Sequence, residues 1–312
     1  MGVEFTAHTF GLGIMNNKGE VLANISDSYT SPSGGMVLDE VVAHHRKVAE
    51  EVLETALTEA KVSWKEIEFI AYSAGPGLDP VLWEGYRIVK KWSETYKKPL
   101  VGINHCCAHL SIGKVWNKLT DPCYLYVSGV NTQVVVFDGG KYRVVGETLD
   151  IGLGNMLDKF GRLLNLGFPA GAKMEELAKK GKYLELPYVV KGMDVSFSGI
   201  LTKVQQLLEK GASKEDLCFS LQETCFAMMA EVVERAMAHT EKKELLLVGG
   251  VGANKRFCQM LDIMCQERGA KFYKVPMNLA GDQGAMIAWE GYIRREQFSD
   301  IKVNPWWRTD EV

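Results

Sequence analysis

The chain has no CxxC pair, no uninterrupted apolar stretch near the ~20 residues of a membrane span, and no strong excess of either charge. Each absence excludes something. Without CxxC pairs, structural-zinc spacing is missing. The seven cysteines (Cys106, Cys107, Cys123, Cys218, Cys225, Cys258, Cys265) are odd in number and suit reduced thiols in a cytoplasm better than a disulfide framework. Without a long apolar run, no membrane partner is expected. A net charge of -3 is too mild for a surface that grips nucleic acid everywhere. Any RNA partner must then be held by a local patch or with help from other subunits. The opening MGVEFTAHTFG lacks a basic region followed by an apolar run, so no secretory signal is expected.

What is present reads as two related halves. EFTAHTFGLGIM alternates as a strand, breaks at NNKG, and resumes as EVLANISD, which predicts a hairpin. Residues 124–150, YLYVSGVNTQVVVFDGGKYRVVGETLD, repeat that grammar with Asp138-Gly139-Gly140 as the turn. After each hairpin come a long helix, a strand ending in a Gly-rich turn (SAGPGLDP or VGGVGANK), a helix, a short strand and a last helix. Strands alternating with helices predict an α/β fold with mixed sheets. The expected division is an N-terminal lobe over 1–118 and a C-terminal lobe over 119–312, with an irregular insertion at about 151–200. A cleft between the lobes would collect ligands at strand ends.

Four constellations could carry chemistry. In GINHCCAHLSIG, Asn104 is placed to cap a helix from His105, and on that helix His105 and His109 share a face. The spacing supports either a metal-binding pair or an ordinary helix start with local hydrogen bonds. Asp282, in NLAGDQGAMIA, is either a helix cap or the carboxylate that completes a two-histidine, one-carboxylate set with open coordination positions. YVSGVNTQ places Ser128 and Gly129 on a strand where a ligand could approach the backbone, or marks a plain sheet bend. VGGVGANKRF is neither GxxxxGK[ST] nor GxGxxG, and supports only a nucleotide or phosphate contact involving Asn254. The Met-rich run CFAMMAEVVERAMAH reads as core.

The ordered motifs TAHTFGLGI, SPSGGM, AHH, GPGLDP, KPLVGINHCCAHLSIG, LYVSGVNTQ, GETLDIGLGNMLDKF, SFSG, VGGVGANKRF and GDQGAMIA together resemble the Kae1/TsaD/Qri7 family, in its archaeal and eukaryotic Kae1 branch. The resemblance implies an actin-like ATPase fold of the sugar-kinase and heat-shock-protein type, with two duplicated lobes around a nucleotide cleft. It implies transfer of a threonylcarbamoyl group from threonylcarbamoyl-AMP to N6 of the adenosine beside the anticodon in ANN-decoding tRNAs. By the same resemblance, His105, His109, Tyr126 and Asp282 hold one divalent metal ion, iron in the family, with zinc or magnesium as alternatives. Tyr126, Val127, Ser128, Gly129, Val130, Asp158, Gly171, Glu175 and Asn254 match positions that bind the acyl-adenylate, with ATP or AMP as related ligands. The implied partners are tRNA and the KEOPS subunits Bud32 kinase, Cgi121 and Pcc1. Three departures stand out: PAGA at 169–172 where the family has Pro-Gly-Gly-Pro, Asp39 where relatives often carry arginine, and VLWEGYR in place of a small-residue version.

The chemistry expected is Lewis-acid catalysis with positioning; nothing near Cys106 or Cys107 in sequence would serve as their base. Two rivals share the fold: an ATP-dependent phosphotransferase, whose magnesium would be held mostly by water and phosphates, and a non-catalytic nucleotide-binding scaffold. A zinc peptidase would need HExxH, and Cys106 stands where that glutamate would be.

Overall fold

The computed structural model describes residues 1–30, 37–296 and 301–312. The SPSGGM motif, at 31–36, lies outside the described residues. The chain divides into two compact units, Met1–Trp116 with Gly281–Val312, and Asn117–Ala280.

The first unit contains strands β1 (Gly2–Glu4), β2 (Thr9–Met15) and β3 (Val21–Ser28), helix α1 (Leu38–Ala60), β4 (Ile70–Gly75), α2 (Asp79–Tyr96), β5 (Leu100–Asn104) and α3 (His105–Trp116). Its sheet runs β3-β2-β1-β4-β5; the β1/β2 and β2/β3 pairs are antiparallel, and the β1/β4 and β4/β5 pairs parallel. The second unit contains β6 (Cys123–Val127), β7 (Thr132–Asp138), β8 (Lys141–Glu147), α4 (Leu153–Leu163), α5 (Gly171–Ala178), β9 (Val190–Lys191), β10 (Asp194–Val195), α6 (Ser198–Glu209), α7 (Lys214–His239), β11 (Glu244–Val248), α8 (Lys255–Glu267), β12 (Lys271–Lys274) and α9 (Met277–Ala280). Its main sheet, β8-β7-β6-β11-β12, repeats the first in both order and direction. The duplication read from hairpin grammar is a duplication of topology.

Several expectations change. EFTAHTFGLGIM is not one strand. Glu4 Oε1 accepts hydrogen bonds from Thr6 N at 2.7 Å and Thr6 Oγ1 at 2.5 Å, and the chain turns there between β1 and β2. The second hairpin breaks at the matching place, so Ser128 and Gly129 lie in the turn between β6 and β7 rather than on a strand. Residues 151–200 are not an irregular excursion: α4 and α5 bury Leu153, Met156, Phe160, Met174 and Ala178 in the core of the second unit, together with the methionines of α7.

A further correction concerns the chain's end. Residues 281–312, expected in the C-terminal lobe, pack in the first unit. Helix α10 (Gly284–Arg294) lies directly on β1 and β2 because glycines let the backbones touch. A Cβ on Gly13 would fall 2.1 Å from Ala285 N, one on Gly284 2.1 Å from Gly13 N, and one on Gly2 2.0 Å from Ala288 N. Beyond it, Asn304 N donates to Ala74 O (2.8 Å), and Asn104 Nδ2 donates to the carbonyls of Trp307 and Arg308 (3.2 Å each).

Candidate functional site

Helix α3 begins where buried strand β5 ends. Asn104 Oδ1 accepts from Cys107 N at 3.1 Å, the N-cap expected from its position. His105 and His109 then lie on one face, with ring centroids 4.7 Å apart, and both are buried. Opposite them stands Asp282. Its Oδ1 is 3.2 Å from His109 Nε2 and 3.6 Å from His105 Nε2. Asp282 is not the cap of α10: Gln283 is, accepting from Met286 N at 3.0 Å. The carboxylate is thereby left to the histidines.

This donor set fits a divalent cation. Ligand atoms ~2.1 Å from a common ion at tetrahedral to right angles stand roughly 3.0–3.4 Å apart. In the protein, one ligand atom from each of His105, His109 and Asp282 lies within 4.8 Å of the others. The fit extends outward. Glu4, a fully buried carboxylate on β1, sits 2.9 Å from His105 Nδ1. A carboxylate there accepts a hydrogen bond from Nδ1–H, so that in the neutral imidazole the Nε2 lone pair faces Asp282, the usual way a ligating imidazole is oriented. Thr6 Oγ1 is 3.3 Å from the same nitrogen and bonded to Glu4.

The electrostatics agree. Burial disfavours charge on His105, but the Glu4 and Asp282 carboxylates outweigh it and lift its pKa to about 9. Burial holds His109 below the usual histidine value, only partly offset by its hydrogen bond to Asp282. Asp282 lies well below the ordinary carboxylate range: burial opposes this, and His105, His109 and His8 overcome it. The two carboxylates favour positive charge at the point where the three ligand atoms converge.

The second unit holds the remaining candidate residues, joined by a run of hydrogen bonds. The turn after β6 is closed by Ser128 N to Asn131 O (2.8 Å) and Asn131 N to Ser128 Oγ (3.1 Å), with Asn131 Nδ2 3.5 Å from the Tyr126 hydroxyl. Helix α4 carries Asp158, whose Oδ1 accepts from Ala170 N at 2.9 Å, beside Gly171. Burial raises the Asp158 pKa, partly offset by that hydrogen bond. On α5, Glu175 accepts from Lys255 N at 2.9 Å and so ties α5 to the start of α8. Asn254 caps α8 through Phe257 N (3.0 Å) and donates to Gln222 Oε1 (2.5 Å).

Residues 20–289 match the family model for tRNA N6-adenosine threonylcarbamoyltransferase. The whole chain is 49% identical, over 319 aligned positions, to the tRNA N6-adenosine threonylcarbamoyltransferase of Thermococcus kodakarensis, and covers 98% of it. The chain belongs to this family of acyltransferases. It is also 48% identical to a probable bifunctional tRNA threonylcarbamoyladenosine biosynthesis protein of Methanocorpusculum labreanum, covering 59% of that protein. Among solved structures, T. kodakarensis HypF superposes with a TM-score of 0.67 at 17% identity, over 96% of this chain and 48% of that one. Component A of the (R)-2-hydroxyglutaryl-CoA dehydratase of Acidaminococcus fermentans gives 0.56 at 15% identity, over 95% and 98%. These likenesses carry the fold alone, and the actin-like α/β fold implied by the sequence motifs is borne out.

Within this threonylcarbamoyltransferase chain, His105, His109 and Asp282 come together, and all three belong to the first unit. Tyr126, assigned to the metal by resemblance, lies on β6 in the second unit. Tyr126 and Val127 are fully buried, whereas Val130 is 71% exposed at the tip of its turn. The Asn254 side chain holds the VGGVGANK loop through one bond at each polar group, which leaves its second N–H and a second Oδ1 lone pair. Glu4 and Thr6 escape the motif reading. The signal is there: a carboxylate in an otherwise apolar strand segment must find a partner, and GVEFTAH contains one.

Proposed function

We propose that this chain transfers the threonylcarbamoyl group of threonylcarbamoyl-AMP to N6 of the tRNA adenosine beside the anticodon. His105, His109 and Asp282, with Tyr126 as a fourth ligand, hold one divalent ion, iron in this reading. The observation that carries the proposal is the His105–His109–Asp282 cluster oriented by Glu4, in a chain aligned end to end with the T. kodakarensis enzyme. In the reaction the adenosine amine attacks the carbamoyl carbon, the bond to the phosphate oxygen breaks, AMP departs and the amine releases a proton. A bound cation supplies Lewis acidity where negative charge grows on the carbonyl or phosphate oxygens.

The chain's own groups bind and orient. Glu4 fixes the His105 tautomer, and Asp282 balances the charge of the site. The Ser128–Asn131 turn offers backbone to the acyl-adenylate; Asp158 and Glu175 suit ribose hydroxyls, and Gly171 leaves open space, with no atom within 4 Å of where a Cβ would stand. The protein works in a cytoplasm with tRNA and with the KEOPS subunits Bud32, Cgi121 and Pcc1. A net charge of -3 supports this need for partners, since alone it favours only weak, salt-sensitive tRNA binding. Among the described residues, no helix is long and apolar enough to cross a membrane.

The test supplies threonylcarbamoyl-AMP, tRNA and the partner proteins, and compares wild type with His109→Ala by nucleoside analysis. Wild type forms N6-threonylcarbamoyladenosine and the variant does not. Equal product from both would overturn the metal-centred mechanism.

A further inference from the structure

The first turn of α4 is unusual in what satisfies it. The opening N–H groups of a helix have no partner inside the helix and normally turn to a capping side chain, water or an anion. Helix α4 has no side-chain cap at Gly152. Instead, three successive N–H groups reach the β6–β7 turn and the start of β7: Leu153 N donates to Thr132 Oγ1 (2.9 Å), Gly154 N to Ser128 O (3.1 Å) and Asn155 N to Gly129 O (2.9 Å). The turn caps the helix, and the helix clamps the turn.

The clamp requires glycine at two positions. A Cβ on Gly152 would fall 2.2 Å from Val130 O and 2.4 Å from Gly129 O; one on Gly154 would fall 2.4 Å from Ser128 O. These neighbours are backbone atoms and cannot step aside as a side chain does. Thr132 is buried, so its hydroxyl is held in place to receive Leu153 N. Since these N–H groups are consumed, the α4 N-terminus offers no phosphate site. Its role is to fix a distance, because Asp158 lies one and a half turns further along the same helix.

We infer that Gly152, Gly154 and Thr132 are positioning residues for the acyl-adenylate, holding the Ser128–Asn131 turn in register with Asp158 so that both meet the ligand preassembled. This rests on the proposed assignment of Ser128, Gly129, Val130 and Asp158 to that ligand. A turn clamped beforehand loses less conformational freedom on binding, and the gain shows in affinity. The chemical step does not depend on it.

Thr132→Val removes the acceptor at nearly constant shape, Thr132→Ser restores it, and Gly154→Ala displaces the turn. Asp158→Asn serves as the reference for the underlying assignment. The readouts are AMP affinity by calorimetry, KM and kcat for threonylcarbamoyl-AMP, bound metal, and the melting temperature. Loss of one buried hydrogen bond predicts about a fivefold to tenfold rise in AMP Kd and in KM for Thr132→Val. Its kcat and metal content stay within about twofold, Thr132→Ser returns to wild type, and Gly154→Ala shows a larger KM effect. An unchanged KM in Thr132→Val, with Asp158→Asn impaired, overturns the clamp and leaves the assignment standing. An unchanged KM in both overturns the assignment and the clamp together. A Gly154→Ala chain that fails to fold leaves the decision with the two threonine variants, and loss of kcat at constant KM in Thr132→Val also counts against positioning.

Discussion

Glu4 and His105 form a buried pair across 101 residues of sequence, with Glu4 Oε2 2.9 Å from His105 Nδ1. The other oxygen, Oε1, accepts from both Thr6 N and Thr6 Oγ1. This division makes Glu4→Gln an informative change. Thr6 N can only donate, so the amide oxygen introduced by the substitution must take the Oε1 place, and the new NH2 must face His105. The imidazole then has to accept at Nδ1 and carry its hydrogen on Nε2, pointing at Asp282, where it cannot bind a cation. Metal affinity is expected to fall about 10–100-fold, the range seen when outer partners of ligating histidines are lost. Chelator competition on the purified protein checks this, and wild-type affinity in Glu4→Gln would remove Glu4 from the site.

His45 predicts an acid sensitivity. It is fully buried on α1, edge-on to Phe10 at 5.5 Å, with no hydrogen-bond partner for Nε2 among the described residues. Burial, assisted by His44, lowers its pKa from 6.5 to about 4. The unfolded chain therefore binds this proton more readily than the folded one. The contribution of neutral His45 is fully present above pH 6.5 and is lost as pH falls toward 4. A 2.5-unit difference corresponds to roughly 3 kcal/mol. Urea unfolding at pH 7, 6 and 5 is expected to show stability falling with acid, and falling less steeply in His45→Gln. Parallel pH profiles for the two proteins would contradict this.

What can be read from the sequence, and what cannot, divides by range. Hairpins, amphipathic helices and the Asn104 cap are short-range patterns, and they lead to the duplicated sheets and to His105 and His109 on one face. Gly2, Gly13 and Gly284 are a different matter. Their effect exists only when α10 lies on β1 and β2, and nothing near residue 284 announces a partner at residue 13. For that reason sequence order puts 281–312 in the wrong half, even though Asp282 stands out as a candidate. The break at 5–8 escapes notice because Phe-Thr-Ala-His interrupts a strand run without glycine or proline, whereas Gly129 and Asn131 mark the one at 128–131 as a sheet bend. Glu4 reads as an exception within a strand until its partner on α3 is in view.

The PAGA departure has a structural counterpart. Ala170 is fully buried, and a Cβ on Gly161 would lie 2.0 Å from its methyl group. Gly161 thus makes the room that Ala170 fills, while Ala170 N holds Asp158. Gly161→Ala alone is expected to cost about 1–3 kcal/mol as an overpacked contact. Adding Ala170→Gly removes the clash, so the double variant should regain most of that loss, a coupling that independent sites do not show. Denaturant unfolding of the two single variants and the double variant measures it. Additive losses would mean that the two positions do not share one space.

Asn104 links residues 307 and 308 to helix α3, which carries His105 and His109, and its two functions can be separated. Its Oδ1 caps α3 at Cys107 N, and its Nδ2 donates to Trp307 O and Arg308 O. Asn104→Asp keeps the acceptor and improves the cap, because a carboxylate suits a helix N-terminus. It also replaces the donor with an oxygen facing two carbonyls in a buried place, which is unfavourable by about 1–3 kcal/mol. Asn104→Ala loses both functions. If the cap matters most to the metal site, metal affinity follows wild type ≈ Asn104→Asp > Asn104→Ala. If the 301–312 segment matters most, Asn104→Asp falls with Asn104→Ala. The first order is expected, because His105 and Cys107 share the turn that the cap closes, whereas the 301–312 segment meets that turn through Asn104 Nδ2 and through a weaker thiol donation from Cys107 Sγ to Thr309 O (3.7 Å). Stability should fall in both variants. Chelator competition alongside denaturant unfolding reads the two effects separately, and a loss of metal affinity in Asn104→Asp equal to that in Asn104→Ala would give the positioning role to the 301–312 segment.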